Sequence, residues 1–256
     1  MDELLVRRED GVLTLTLNRP DRLNALSDTL ADALAAELEE ATSYDDVRVV
    51  VLRGAGRAFC AGADISGASG PKRLDVRALD RANRIVRAIT RLDRPVVAAV
   101  HGSAAGVGCS MALACDLAVA AESASFLLAF ARIGLMPDGG STVTVAASIG
   151  RARAMRMAML AEPLTGREAY DAGLVSHLAD EDSFEIVVSE VVGRLGAGAP
   201  LGLAATKRAL NAAAYAGLDG ALERERTGQS ILLGTADAAE GMRAFEERRR
   251  PDFSGQ

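Results

Sequence analysis

The 256-residue sequence has no tryptophan and is only 4% aromatic, so no large ring system anchors its interior. With 49% hydrophobic residues, the core must be assembled from Ala, Val, Leu and Ile, which suits close packing of helices against sheets. Cysteine is scarce: Cys60, Cys109 and Cys115 are odd in number and lack CxxC spacing. Histidine is scarcer still, with His101 and His177 alone. Together these argue against a disulfide framework and against a zinc site, and they fit a reducing compartment; no metal is expected. Lysine is nearly missing (Lys72 and Lys207), so positive charge is carried by arginine. The net charge of −6 argues against a nucleic-acid partner, and an anionic ligand would need a local arginine cluster. The opening MDELLVRRED is too charged for a signal peptide, and no uninterrupted apolar run is long enough to span a membrane. The expectation is a soluble, cytoplasmic protein without a membrane partner.

What is present centres on GRAFCAGADIS, Gly56 to Ser66. The apolar run Arg48 to Arg53 before it reads as a strand ending at Gly54, Ala55 and Gly56. Small residues in the loop (Ala58, Ala61, Gly62, Ala63) let main-chain N–H groups approach a ligand, and such groups favour anionic oxygen. That is half of an oxyanion hole. The plainer reading is a tight strand-to-helix turn with Asp64 near a helix start.

The rest follows in order. Leu4–Val6 and Val12–Leu17 form a hairpin across Asp10-Gly11. NRPDRLNAL, Asn18 to Leu26, is irregular because Pro20 interrupts a ladder. Ser27 caps a helix to about Ala41, and a second helix runs from Val76 to Leu92. Between them the Gly-, Ser- and Pro-rich Ser66–Lys72 reads as a flap or an ordinary surface loop. Val96–Val100 is a buried strand leading into HGSAAGVGCSMALACD, His101 to Asp116, which lacks the P-loop lysine and the dinucleotide spacing. A small-residue turn at a helix N-terminus remains, a second set of N–H donors. Short strands follow at Leu117–Val119 and Phe126–Leu128, and helices at Phe184–Leu195, Leu201–Ala216 and from Ala221 onward.

NRPDRLNAL, the two small-residue loops, IGLMPDGG (Ile133 to Gly140), TGREAYDAGLVSHL (Thr165 to Leu178) and DAAEGMRAFEERRRPDF (Asp237 to Phe253) together resemble the enoyl-CoA hydratase/isomerase (crotonase) family. The resemblance implies an α/β fold: a crotonase-like spiral of ββα units with two roughly perpendicular sheets and a C-terminal helical trimerisation region. It implies a core over 1–195 for acyl-CoA binding and catalysis. Residues 196–256 would make oligomer contacts, in a homotrimer or hexamer, and part of the pocket. Coenzyme A enters as part of the thioester substrate, and no separate cofactor is implied. The family's two enolate-stabilising N–H groups fall on Ala63 and Val107. Ala61, Asp64 and Ile65 would meet the adenine end of CoA, and Arg22, Lys72 and Arg73 are candidates for its phosphates. For each of these basic residues a solvated surface charge is an equal alternative. Gly106, Ser110 and Phe130 complete the substrate-binding set.

Hydratases of the family use two glutamates, and here those positions are Ser110 and Phe130. A Phe cannot transfer a proton, and a Ser without a base is a poor substitute. Asp138 in MPDGG resembles the acidic residue of the isomerase branch, where one carboxylate moves a proton between carbons. From spacing alone, Asp before Gly-Gly-Ser-Thr favours a helix N-cap; the resemblance favours catalysis. The leading expectation is an enoyl-CoA double-bond shift. Alternatives are hydration with a rearranged acid/base set, ring-epoxide isomerisation, decarboxylation or hydrolysis, and an inactive acyl-CoA binder.

Overall fold

The computed structural model describes residues 2–66 and 75–256. Lys72, Arg73 and the flap beyond Ser66 lie outside the described residues. Asp10 and Gly11, with φ of 50° and 77°, close the hairpin of β1 (Leu4–Glu9) and β2 (Val12–Leu17). Two positive φ values match the right-handed twist of paired strands.

β2 pairs in parallel with β3 (Val49–Gly54), β3 with β4 (Val96–Val100), β4 with β6 (Leu117–Ala121), and β6 with β9 (His177–Ala179). The order is β1-β2-β3-β4-β6-β9. Parallel neighbours need crossovers rather than tight turns. These are α1 (Asp28–Glu40), α2 (Val76–Arg91) and α3 (Val107–Ala114), with α4 (Ser141–Leu160) and α5 (Gly166–Asp171) preceding β9. A smaller sheet has the order β5 (Ser103–Ala105), β7 (Ser125–Leu127), β8 (Leu164–Thr165).

Both faces of the large sheet are covered. Val50, Leu52, Ala98 and Val100 join the cluster containing Leu30, Leu34 and Leu38 of α1 and Ile85 and Ile89 of α2. The alternate residues Val49, Val51, Val97 and Ala99 pack with Phe184, Val188 and Val191 of α6 (Phe184–Gly196). Burial on both sides explains why these strands are apolar without alternation.

The helix starts follow local chemistry. Ser27 Oγ accepts the Leu30 N–H at 3.0 Å, as its sequence position suggests. Thr165 and Glu168 form a reciprocal capping box at α5. The C-terminal region is α7 (Pro200–Ala214), α8 (Leu218–Leu232) and α9 (Ala236–Glu246). Leu218 and Leu222 of α8, with Ala238 and Met242 of α9, belong to the main core.

One expectation is corrected. Residues 103–105, read as part of a turn, form β5, because Ala104 bridges to Cys60 and pairs with Phe126. The Asp64 carboxylate takes Ser66 and the Arg19 side chain, and a helix start beyond Ser66 falls on residues 67–74, outside the described residues.

Candidate active site

The loop after β3 is clamped between two backbone segments. On one side Cys60 N–H donates to Ser103 C=O and Ala105 N–H to Cys60 C=O, both at 2.9 Å. On the other, Ala61 N–H donates to Leu23 C=O and Leu26 N–H to Gly62 C=O. The Gly62–Ala63 peptide is trans, so with its C=O turned to Leu26 its N–H points the opposite way. Gly62 makes this possible: its φ is +101°, and a Cβ there would lie 2.9 Å from Ala105 O.

Val107 opens α3, so its N–H is a first-turn donor that no intrahelical carbonyl can meet. Gly106 before it has φ 53° and ψ −130°, a conformation suited to glycine. Among the described residues, neither Ala63 N–H nor Val107 N–H has a backbone acceptor.

Both residues wall a largely apolar cavity of about 150 Å³. Its walls also include Ala61, Ile65, Gly106, Phe130 and Asp138, all singled out from the sequence. The α2 residues Ala78, Leu79 and Ala82, and Gln229, Leu233 and Phe245 from the C-terminal region, contribute further walls. The last three were not read from the sequence. Gln229 carries no local signal, since one amide on a polar amphipathic helix looks like any surface residue.

Three sequence candidates are not walls of the cavity. Arg22 is exposed on a 3₁₀ turn, Pro20–Arg22. Asp64 is half-buried and bound by Arg19 at 2.8 Å; burial pushes its pKa up, but Ser66 and Arg19 hold it below the ordinary value. Ser110 is fully buried, and its Oγ donates to the Asp138 carbonyl at 2.8 Å. Its hydroxyl therefore braces the backbone behind Asp138 rather than facing a ligand. Within NRPDRLNAL the ordered charge is Arg19, which also pairs with Glu3, while buried Asn24 ties Arg19 to Ala55 and Ala58.

The cap expected of Asp138 is made by another residue. Glu225 of α8 accepts Gly140 N–H at 2.7 Å and Thr142 N–H at 3.1 Å, satisfying the start of α4 from outside. The Asp138 carboxyl caps nothing. Its Oδ2 accepts from Gln229 Nε2 at 2.9 Å, and its Oδ1 is buried without a hydrogen-bond partner among the described residues. Burial raises its pKa to about 7; the Gln229 hydrogen bond opposes the rise and the Glu225 charge adds to it. The cysteines beside the loops are spectators: burial pushes the Cys60 and Cys109 thiols up to about 12. His101 is held by the Gly56 carbonyl and His177 by Ser176, and neither is a cavity wall.

The fold and site define an α/β enzyme class in which residues offering main-chain N–H donors and one buried acid line the same largely apolar cavity. The Enoyl-CoA hydratase/isomerase family model matches residues 7–256, and the chain belongs to that family. It is 38% identical to a 1,2-epoxyphenylacetyl-CoA isomerase and 37% identical to a 2,3-dehydroadipyl-CoA hydratase, both of Escherichia coli, over all of each chain. Among solved structures, an enoyl-CoA hydratase from Mycobacterium avium subsp. paratuberculosis superposes with a TM-score of 0.93 at 47% identity, covering 98% of both chains. The fold is thus the crotonase fold, and the protein is an enzyme of this family.

Proposed function

We propose that the protein shifts a double bond along an enoyl-CoA, with Ala63 and Val107 N–H groups binding the thioester oxygen and Asp138 as the single acid/base. The observation that carries this reading is the Asp138 carboxyl: buried, with a pKa raised to about 7 and an Oδ1 without a partner among the described residues, on a residue that lines the cavity. For a 3-enoyl-CoA, the carboxylate takes a proton from carbon two. The electron pair moves into the thioester, whose oxygen becomes an enolate held by the two N–H donors. The same carboxyl then returns a proton at carbon four, the double bond settles between carbons two and three, and the carboxylate is regenerated. No water is consumed. General acid–base catalysis of this kind works best with a pKa near the operating pH.

Hydration would ask for a second acid/base. The two positions where the resemblance expects one hold Phe130, an apolar wall, and Ser110, whose hydroxyl is committed to the Asp138 carbonyl. A second reading, rearrangement of an epoxide-bearing CoA thioester, is favoured by the likeness to the 1,2-epoxyphenylacetyl-CoA isomerase. It too conserves the atoms of the substrate.

Incubation of the enzyme with 3-enoyl-CoA and 2-enoyl-CoA in heavy water, read by mass spectrometry, tests the proposal. Deuterium uptake without added oxygen is the expected result, and Asp138→Asn should lower the rate by about 10²- to 10⁴-fold. Gain of one water on the 2-enoyl substrate, or full activity in the Asn variant, overturns it.

In the same reading, Ala61 to Ile65 receive the adenine end of CoA and Arg22 its phosphates. The chain assembles as a homotrimer or a dimer of trimers in the cytoplasm. Exposed apolar side chains such as Met159 and Leu160 at the end of α4 favour assembly, and a monomer by light scattering would refute it. Among the described residues, no single helix is long and apolar enough to cross a membrane.

A further inference from the structure

Building on Asp138 as the acid/base, we propose that Gln229 is a positioning residue that divides the labour of the Asp138 carboxyl, committing Oδ2 to the protein and reserving Oδ1 for the substrate.

The orientation of the Gln229 amide follows from its other partner. Met136 N–H, a group that can only donate, points at Gln229 Oε1 at 3.2 Å. The amide oxygen must therefore face Met136, which leaves Nε2 to face Asp138 Oδ2 at 2.9 Å. Gln229 is only 1% exposed, so its amide has no solvent to turn towards. A proton on Oδ2 would confront the amide hydrogens. When the carboxyl is neutral its proton therefore resides on Oδ1; when it is ionised, the uncommitted lone pairs are on Oδ1. Oδ1 is the buried atom without a partner among the described residues, and Asp138 is a wall of the cavity. A single oxygen thus both accepts and returns the proton, which suffices for a 1,3-shift.

The same helix grips the loop on its far side. Glu225, one turn before Gln229 in α8, holds the N–H groups of Gly140 and Thr142. Ser110 of α3 donates to the Asp138 carbonyl from a third direction. Among the described residues, the titratable groups around Asp138 are few. Glu225 adds its negative charge from α8, and Asp75 stands exposed at the cavity rim before α2, capping Arg77 N–H. Cys109 of α3 is a thiol raised by burial, and Arg132, in the 3₁₀ segment after β7, donates to the Ala161 carbonyl. The Gln229 donor opposes the burial of the carboxylate, so its loss moves the Asp138 titration upward.

The test is Gln229→Met, close in size but without a donor, assayed with 3-enoyl-CoA alongside wild type and Asp138→Asn. The expected result is a kcat lowered about tenfold or more, a KM within about twofold, and a pH–rate midpoint displaced upward by on the order of one unit. Difference infrared spectra of wild type against Asp138→Asn give a readout that does not depend on the Met variant folding. The neutral Asp138 carbonyl stretch should be that of a hydrogen-bonded acceptor. A free carbonyl stretch, or a folded Gln229→Met with unchanged kcat and pH profile, overturns the role of Gln229 while Asp138 stands. An active Asp138→Asn instead overturns the acid/base reading itself.

Discussion

Asp138 is where stability and activity oppose each other. Its carboxyl titrates at about 7 in the folded chain, chiefly because burial penalises the charge. In the proposed reaction the ionised form starts the proton transfer. kcat/KM for a 3-enoyl-CoA should therefore rise with pH through about 7 and then level, and a profile flat from pH 5 to 9 would exclude this group. The stability consequence has the opposite sign. Between about pH 4 and 7 the folded chain holds a proton that the unfolded chain releases, so stability falls as pH rises through that window and stays lowered above it. Asp138→Asn should accordingly melt above wild type at pH 8, by no more than about 4 kcal/mol, with the gain vanishing near pH 4. Scanning calorimetry at the two pH values checks it.

At the scale of elements, the site is a junction of strand ends and helix starts. The loops after β3 and β4 are held in register by Cys60 and Ala104, and the trans peptide after Gly62 turns the Ala63 N–H away from Leu26. The start of α4 is the weak point, because Gly140 at its N-cap has no side chain to offer and Glu225 supplies the acceptors from α8. Glu225→Ala would leave these N–H groups unmet in a buried site, at a cost of about 1–3 kcal/mol in denaturant unfolding. Glu225→Gln keeps an acceptor but removes the charge that raises the Asp138 titration, so the pH–rate midpoint should move down. An upward shift would contradict the electrostatic role given to Glu225.

Across the whole molecule, the C-terminal helices are tied into the core by polar clamps as well as apolar packing. Lys207 of α7, 8% exposed, reaches Asp116 at 2.7 Å and the carbonyls of Ile89 and Arg94 at 2.8 and 3.1 Å. Asp116 also accepts the Val96 N–H at the start of β4. One side chain thereby joins α7 to the end of α2, the entry to β4 and the residue before β6. Lys207→Met would strand a half-buried carboxylate, at a cost of up to about 3–5 kcal/mol read as a lowered melting temperature. In the C-terminal run Arg248-Arg249-Arg250, Arg249 is held by Glu240 and Glu247.

Much of this was legible in the sequence because it is written in short range. The hairpin turn, the Ser27 cap, the apolar runs of the buried strands and the two small-residue loops each depend on residues a few positions apart. Asp138 also stood out, as the carboxylate left near positions occupied by Ser110 and Phe130. Tertiary structure decided what Asp138 does locally. The capping task that spacing assigns to it belongs to Glu225, 85 positions beyond the Gly140 N–H it accepts, and its own carboxyl is met by Gln229, 91 positions away. The swap of Ser110 from candidate wall to backbone brace, and the place of Leu233 and Phe245 in the cavity, have the same origin. A hydrogen bond or a cavity wall is set by proximity in space. Residues on separate helices leave no periodicity or spacing that announces they will meet, so only the packed chain could assign them.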